Sequence, residues 1–156
     1  ERIHTPQEYQ MLVKRQALDY LRVSICVCGG FTGAKKIAAI AEANHLGIIP
    51  HNPLSPVATA ACIQLDAAVP CFTIQEYPDP NGPAAHARFV FEKTGKSEFH
   101  VCDIVDRMPE CQEGFLIVPD APGLGIELID GVEEKFPFER RKVVTRLTTD
   151  GAVMDQ

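Results

Sequence analysis

Two residues in this sequence combine a type and a spacing suited to proton transfer: His51 and Glu76. An imidazole with an ordinary pKa near neutrality can take and return a proton at physiological pH. A carboxyl group held near it can polarise a substrate or support a developing oxyanion. His51 follows the apolar run Leu46 to Pro50, and Glu76 follows the apolar run Cys71 to Ile74 through Gln75. A helix signal lies between the runs: Ser55 as N-cap, Pro56 in the first turn, then an Ala-rich stretch from Val57 to Ala68. Strand, helix and strand in that order place both side chains at the C-terminal edge of a parallel sheet, where α/β folds carry out their chemistry.

The elements that must position this pair repeat upstream. Thr5, Pro6 and Glu8 form a capping box ahead of a helix with Tyr9, Leu12 and Val13 on its apolar stripe. Leu21 to Cys28 reads as a strand, with Ile25 and Val27 facing helices and Ser24, Cys26 and Cys28 facing an enclosed side. A helix opened near Thr32 buries Ile37, Ile40 and Ala41 and ends at Asn44 or His45. Three strand ends separated by helices predict a parallel sheet with right-handed crossovers. After Glu76 the pattern changes. Pro78, Pro80, Gly82 and Pro83 mark a loop, followed by candidate short strands at 88–91, 99–105, 114–118 and 143–147.

Composition narrows the function classes. For a chain of 156 residues, a net charge of −6 argues against general nucleic-acid binding by charge. No run approaches the roughly 18 apolar residues of a membrane span. The six cysteines lie mostly in apolar segments, as buried reduced thiols of a cytosolic protein do. Cys26 and Cys28 form a CxC pair, with no second Cys/His cluster at zinc-ligand spacing. The Gly-Gly-Phe-Thr-Gly run at 29–33 lacks both the dinucleotide fingerprint and the P-loop Gly-Lys-Ser/Thr, so a tight strand-to-helix turn is its expected role. Glu1 in place of a methionine, and an abrupt start, lead to the expectation of an incomplete gene product.

Four motifs in order carry a resemblance: GGFTGAKKIAAIAEA from Gly29, IIPHNPLSPVATAACIQLDA from Ile48, IQEYP from Ile74 and PDAPGLGIEL from Pro119. They resemble the C-terminal part of the enolase superfamily. The likeness is to its mandelate racemase branch, and within that to the galactonate-dehydratase-like sugar acid dehydratases. It extends from Glu1 to about Leu128. It implies an α/β fold: the C-terminal part of a modified TIM barrel, about strands six to eight, in residues 1–78. Residues 79–156 would form a post-barrel segment joining an α+β capping domain. A full barrel takes roughly 250 residues.

The resemblance also implies roles. Glu1 matches a carboxylate ligand of Mg²⁺, His51 the general base, and Glu76 the group that hydrogen-bonds the enolate. Ser24 stands where the family usually has an aspartate paired with the histidine. A serine can orient the imidazole but cannot stabilise imidazolium as a carboxylate does. The implied reaction is α-proton abstraction from a sugar acid, enediolate stabilisation by Mg²⁺ and loss of β-hydroxide. The implied partners are a small-molecule sugar acid and either the missing N-terminal half or a second copy, with no nucleic acid or membrane. Three readings compete: a racemase or cycloisomerase of the same superfamily, a non-catalytic fragment or half-barrel needing a complementary chain, and a small cysteine-based metal or redox domain.

Overall fold

The computed structural model describes residues 2–52, 55–77, 101–138, 140 and 149–150. Helix α1 (Pro6–Lys14) begins at the predicted capping box. The Thr5 side chain accepts from the Glu8 amide, and the Glu8 carboxylate accepts from the Thr5 amide at 2.8 Å. Strand β1 (Tyr20–Val23) follows, then α2 (Gly30–Ala43), β2 (Gly47–Pro50) and α3 (Pro56–Ala67). Ser55 caps α3 by accepting from the Ala58 amide at 3.1 Å, and Pro56 occupies its first turn.

β1 and β2 pair in parallel, with Tyr20 opposite Gly47 and Val23 opposite Pro50. The Cys71–Ile74 segment reduces to one parallel bridge, Phe72 to Ile48, with amide bonds from Ile48 to Cys71 O and from Thr73 to Ile48 O. Alternation along β1 buries Leu21 and Val23 and exposes Tyr20 and Arg22. The buried face packs with Tyr9 and Val13 of α1, Ala34, Ile37, Ala38 and Ala41 of α2, and Cys62 and Leu65 of α3. The Tyr9 hydroxyl donates to the Arg22 carbonyl, fixing α1 to β1. Burial pushes that phenol up to about 12.

The first strand is shorter than its apolar pattern predicts. It ends at Val23, and the expected register through Cys28 is not adopted. Val27, expected against helices, is 52% exposed, Cys26 is exposed, and Cys28 is buried. The physical reason is the loss of a ladder partner. Among the described residues, the His51 amide, bonded to Val23 O at 2.7 Å, is the last donor from β2 to β1. Beyond that point the chain bonds to itself, with the Val27 and Cys28 amides both donating to Ser24 O. Gly29, at φ +93°, completes this turn in a conformation that few other residues adopt.

Among the described residues past 100, the secondary structure comes in short pieces. Val101–Ile104 is a 3₁₀ turn where a strand was expected. A small antiparallel pair joins β3 (Cys111–Gln112) to β4 (Phe115–Leu116), and α4 (Val132–Lys135) is a single turn. Val105 bridges Leu128, tying the 3₁₀ turn to the segment after the Pro-Gly turn. The candidate strands at 88–91 and 143–147, and Glu1, lie outside the described residues. Among the described residues, no helix is long and apolar enough to cross a membrane.

Gly33 offers a sharp test of the helix–turn packing. A Cβ there would lie 1.7 Å from the Cys28 carbonyl oxygen, a backbone atom that cannot swing away. We expect Gly33→Ala to lower unfolding free energy by about 1–3 kcal/mol, read from a shifted denaturant midpoint. A neutral or stabilising Gly33→Ala would show that the Cys28–Gly33 turn is not packed as described.

Candidate active site

The site sits where the strands end. β1 delivers Arg22, whose side chain lies on the face opposite the helices. β2 delivers His51 and Asn52, and the bridge at Phe72 leads through Gln75 to Glu76. The three ends meet at one atom. Glu76 Oε2 accepts from Arg22 Nη2 at 2.8 Å and from the Asn52 backbone amide at 2.9 Å. The amide next to His51 is therefore bound directly to the Glu76 carboxylate. A charge-assisted bond of this kind is stronger than a neutral one, and here it spans three strands.

The support beneath is polar and buried. Asn52 is fully buried, and its Nδ2 donates to Thr59 Oγ1 in the first turn of α3. Thr59 in turn donates to Ser55 O at 3.1 Å. The loop carrying His51 is thus held to both the sheet and the helix that follows it. His51 is half-buried, with Nδ1 sealed from solvent. Ser24 is 3% exposed and directly follows β1, and its carbonyl anchors the Cys26–Gly29 turn.

The sequence reading identified His51, Glu76 and Ser24 but missed Arg22 and Asn52. A signal for Arg22 was present: a lone cation inside an otherwise apolar strand, two residues before Ser24 and so on the same side by alternation. Asn52 carried no such signal, because its importance lies in a backbone amide.

The thiols of Cys28, Cys62 and Cys71 are poor nucleophiles. Burial raises the Cys28 and Cys71 pKa values, and it pushes Cys62 up to about 12, helped by Asp66. Cys26 and Cys111 are exposed where buried reduced thiols were expected, and Cys26, Cys28, Cys62, Cys71 and Cys111 are free. Among the described residues, no three His, Cys, Asp or Glu side chains form a metal-holding group. Asp66 of α3 is the unusual carboxyl. Both of its oxygens are sealed from solvent without a hydrogen bond, and burial pushes it up to about 7.

Comparison with known proteins adds a family. A profile described as enolase C-terminal domain-like matches residues 1–132. The D-galactonate dehydratase family member RspA of Pantoea ananatis is 34% identical over 134 residues, covering 85% of this chain and 28% of that protein. A D-mannonate dehydratase of Caulobacter vibrioides is 29% identical, covering 94% of this chain and 32% of that protein. Among solved structures, an enolase from Pantoea ananatis with bound D-gluconate and Mg superposes with a TM-score of 0.68 at 32% identity, over 94% of this chain and 32% of that one. An enolase from Agrobacterium radiobacter, bound to Na and L-malate, gives a TM-score of 0.75 at 29% identity, over 97% of this chain and 38% of that one. The chain spans about a third of the length of the curated relatives it matches.

Asp66 makes stability depend on pH in a direction fixed by proton uptake. The folded chain keeps a proton on Asp66 up to about pH 7, whereas the unfolded chain releases it near pH 4. The folded state therefore binds more protons in that window, and its stability falls as pH rises through it. We expect the stability of Asp66→Asn relative to the unsubstituted chain to rise from about pH 4 to about pH 7 and then level off. Denaturant titrations across that range check it. A constant difference would mean that Asp66 titrates normally.

Proposed function

The chain belongs to the enolase C-terminal domain-like family, and from that premise we propose that it is the C-terminal part of a Mg²⁺-dependent sugar acid dehydratase. The observation that carries this reading is the shared bond at Glu76 Oε2, which brings a strand-end carboxylate, an arginine and the amide beside His51 to one point. Relatives named galactonate and mannonate dehydratases, and a structural neighbour solved with D-gluconate and Mg, supply the substrate class. On this reading residues 1–78 contribute the last barrel strands and residues 79–156 pack on the barrel and a capping domain.

The metal needs ligands beyond the residues described. These contain no metal-holding group of three, so Mg²⁺ would draw on Glu1 and on carboxylates outside this chain. Bound there, it would supply positive charge to the substrate carboxylate. The steps below belong to the chain's own residues.

His51 Nε2 takes the proton on the carbon beside the substrate carboxylate, and the C–H electron pair enters the enediolate. The Glu76 carboxyl hydrogen-bonds the developing oxyanion, and the Arg22 guanidinium on it adds positive charge to the same corner. Collapse of the enediolate expels hydroxide from the β-carbon, and the resulting enol tautomerises to a 2-keto-3-deoxy acid. The general acid for the leaving hydroxyl comes from an earlier strand. Ser24, in place of an aspartate, leaves His51 a weaker base than a carboxylate-paired imidazole.

A half-barrel awaiting completion is the second reading, favoured by a specific feature. Among the described residues Phe72 pairs only with Ile48, and Phe72, Ile74 and Phe115 are exposed beside that open edge.

Two outcomes are expected. In a barrel completed by its remaining strands, His51→Asn lowers α-proton exchange with solvent deuterium by about 10²-fold or more, while Mg²⁺ binding is retained. Undiminished exchange would remove His51 from the role of base. The isolated 156-residue chain, given Mg²⁺ and a panel of sugar acids, turns over none of them and associates in solution. A stable monomer that dehydrates any panel member would overturn the half-barrel reading.

A further inference from the structure

Gln75 lies behind the site, between Glu76 and the helix layer. Its Nε2 donates to Glu76 O at 2.6 Å and to Pro50 O at 3.4 Å. Pro50 immediately precedes His51, so one side-chain amide joins the backbone of both strand ends that carry the site. The two N–H groups of this amide have two carbonyls to serve, and both are used. Its oxygen faces the other way, sealed from solvent and without a hydrogen bond.

Asp66 lines the same cavity, about 390 Å³ in volume, with Gln75, Ile63, Phe72 and Thr73. Its two oxygens are likewise sealed and without a donor. The buried Cys62 thiol lies beside Asp66 and within hydrogen-bond reach of the Gln75 side chain, where it is only a weak donor. The sealed polar atoms of these two side chains are thus acceptors: one amide oxygen and two carboxyl oxygens. Turning the amide over does not help, because it would set Oε1 against the carbonyls of Pro50 and Glu76. An ionised carboxyl can only accept, whereas a protonated one carries the missing donor.

We propose that Asp66, in its carboxylic acid form, donates to Gln75 Oε1, and that the two act as a positioning pair that sets the spacing of His51 and Glu76 from the helix side of the sheet. Neither residue touches substrate. The acid fixes the amide, the amide fixes the carbonyls of Pro50 and Glu76, and these fix the two side chains that do the chemistry. The burial that pushes Asp66 up to about 7 agrees with the acid form. The pair's role as a positioning device rests on the proposed function, but its hydrogen bonding does not.

The test separates the two. Infrared difference spectra at pH 6 of the unsubstituted protein and Asp66→Asn should show the carbonyl stretch of a protonated carboxyl that is lost on substitution. The Asp66→Asn side chain keeps an N–H donor where the acid had its O–H. Histidine ring resonances of His51, from ¹⁵N-labelled protein, should therefore stay in place in Asp66→Asn but shift in Asp66→Ala and Gln75→Leu. Absence of the acid band, or an Asp66→Asn that moves the His51 resonances as far as Asp66→Ala does, overturns the proposal. If Asp66→Ala does not fold, the acid band and Asp66→Asn still decide it. Undiminished α-proton exchange in His51→Asn of the completed barrel, with these signals intact, would overturn the functional reading and leave the pair standing.

Discussion

The Glu76 carboxylate holds this site together. Through one oxygen it binds a cation on β1 and a backbone amide at the end of β2, while it belongs to the third strand segment itself. Neutralising Glu76 would loosen the junction of all three strand ends. The pair with Arg22 is partly exposed, with 43% and 33% of the two side chains accessible, so its ionic attraction alone is modest. Its structural weight comes from geometry. Along β2 the amides alternate sides: His51 donates to Val23 O of β1, whereas Ile48 donates to Cys71 O and Asn52 to Glu76, so the carboxylate extends the bonding of the third segment one step past the backbone.

The end of the β1 ladder at Val23 goes together with other features of the chain. Because β1 loses its partner after Val23, residues 24–30 close a turn on themselves, and α2 starts at Gly30, ahead of the expected Thr32. Because Gly33 lies against the Cys28 carbonyl, α2 can begin close to the strand it leaves. On the other side, the buried Asn52–Thr59–Ser55 chain fixes the first turn of α3 beneath the His51 loop. Polar groups buried in this way are costly unless satisfied, and here each finds its partner in the next element.

The proposed chemistry draws on the same arrangement. With the Nδ1 of His51 sealed and Glu76 held by Arg22, little reorganisation would be needed were charge to develop there. The buried cysteines have raised pKa values, which makes thiolate chemistry an unsuitable use for this region. The second polar layer, around Gln75 and Asp66, extends the control of the corner into the helix side of the sheet.

By itself the sequence determined the local elements and the candidate pair. Thr5, Glu8, Ser55 and Pro56 act through neighbours within one helical turn, so their meaning can be read from spacing alone. The alternation of βα units likewise placed His51 and Glu76 at strand ends, and four ordered motifs pointed to the family that the profile match supports. Tertiary structure decided what depends on pairing at a distance. Apolar alternation from Leu21 to Cys28 does not reveal where a ladder loses its partner, because the last bond of that ladder comes from the His51 amide of a different strand. The parts played by Arg22, Asn52, Gln75 and Asp66 are equally invisible in the order of residues. Each acts by closing a hydrogen bond, or by leaving one open, across elements that only folding brings together.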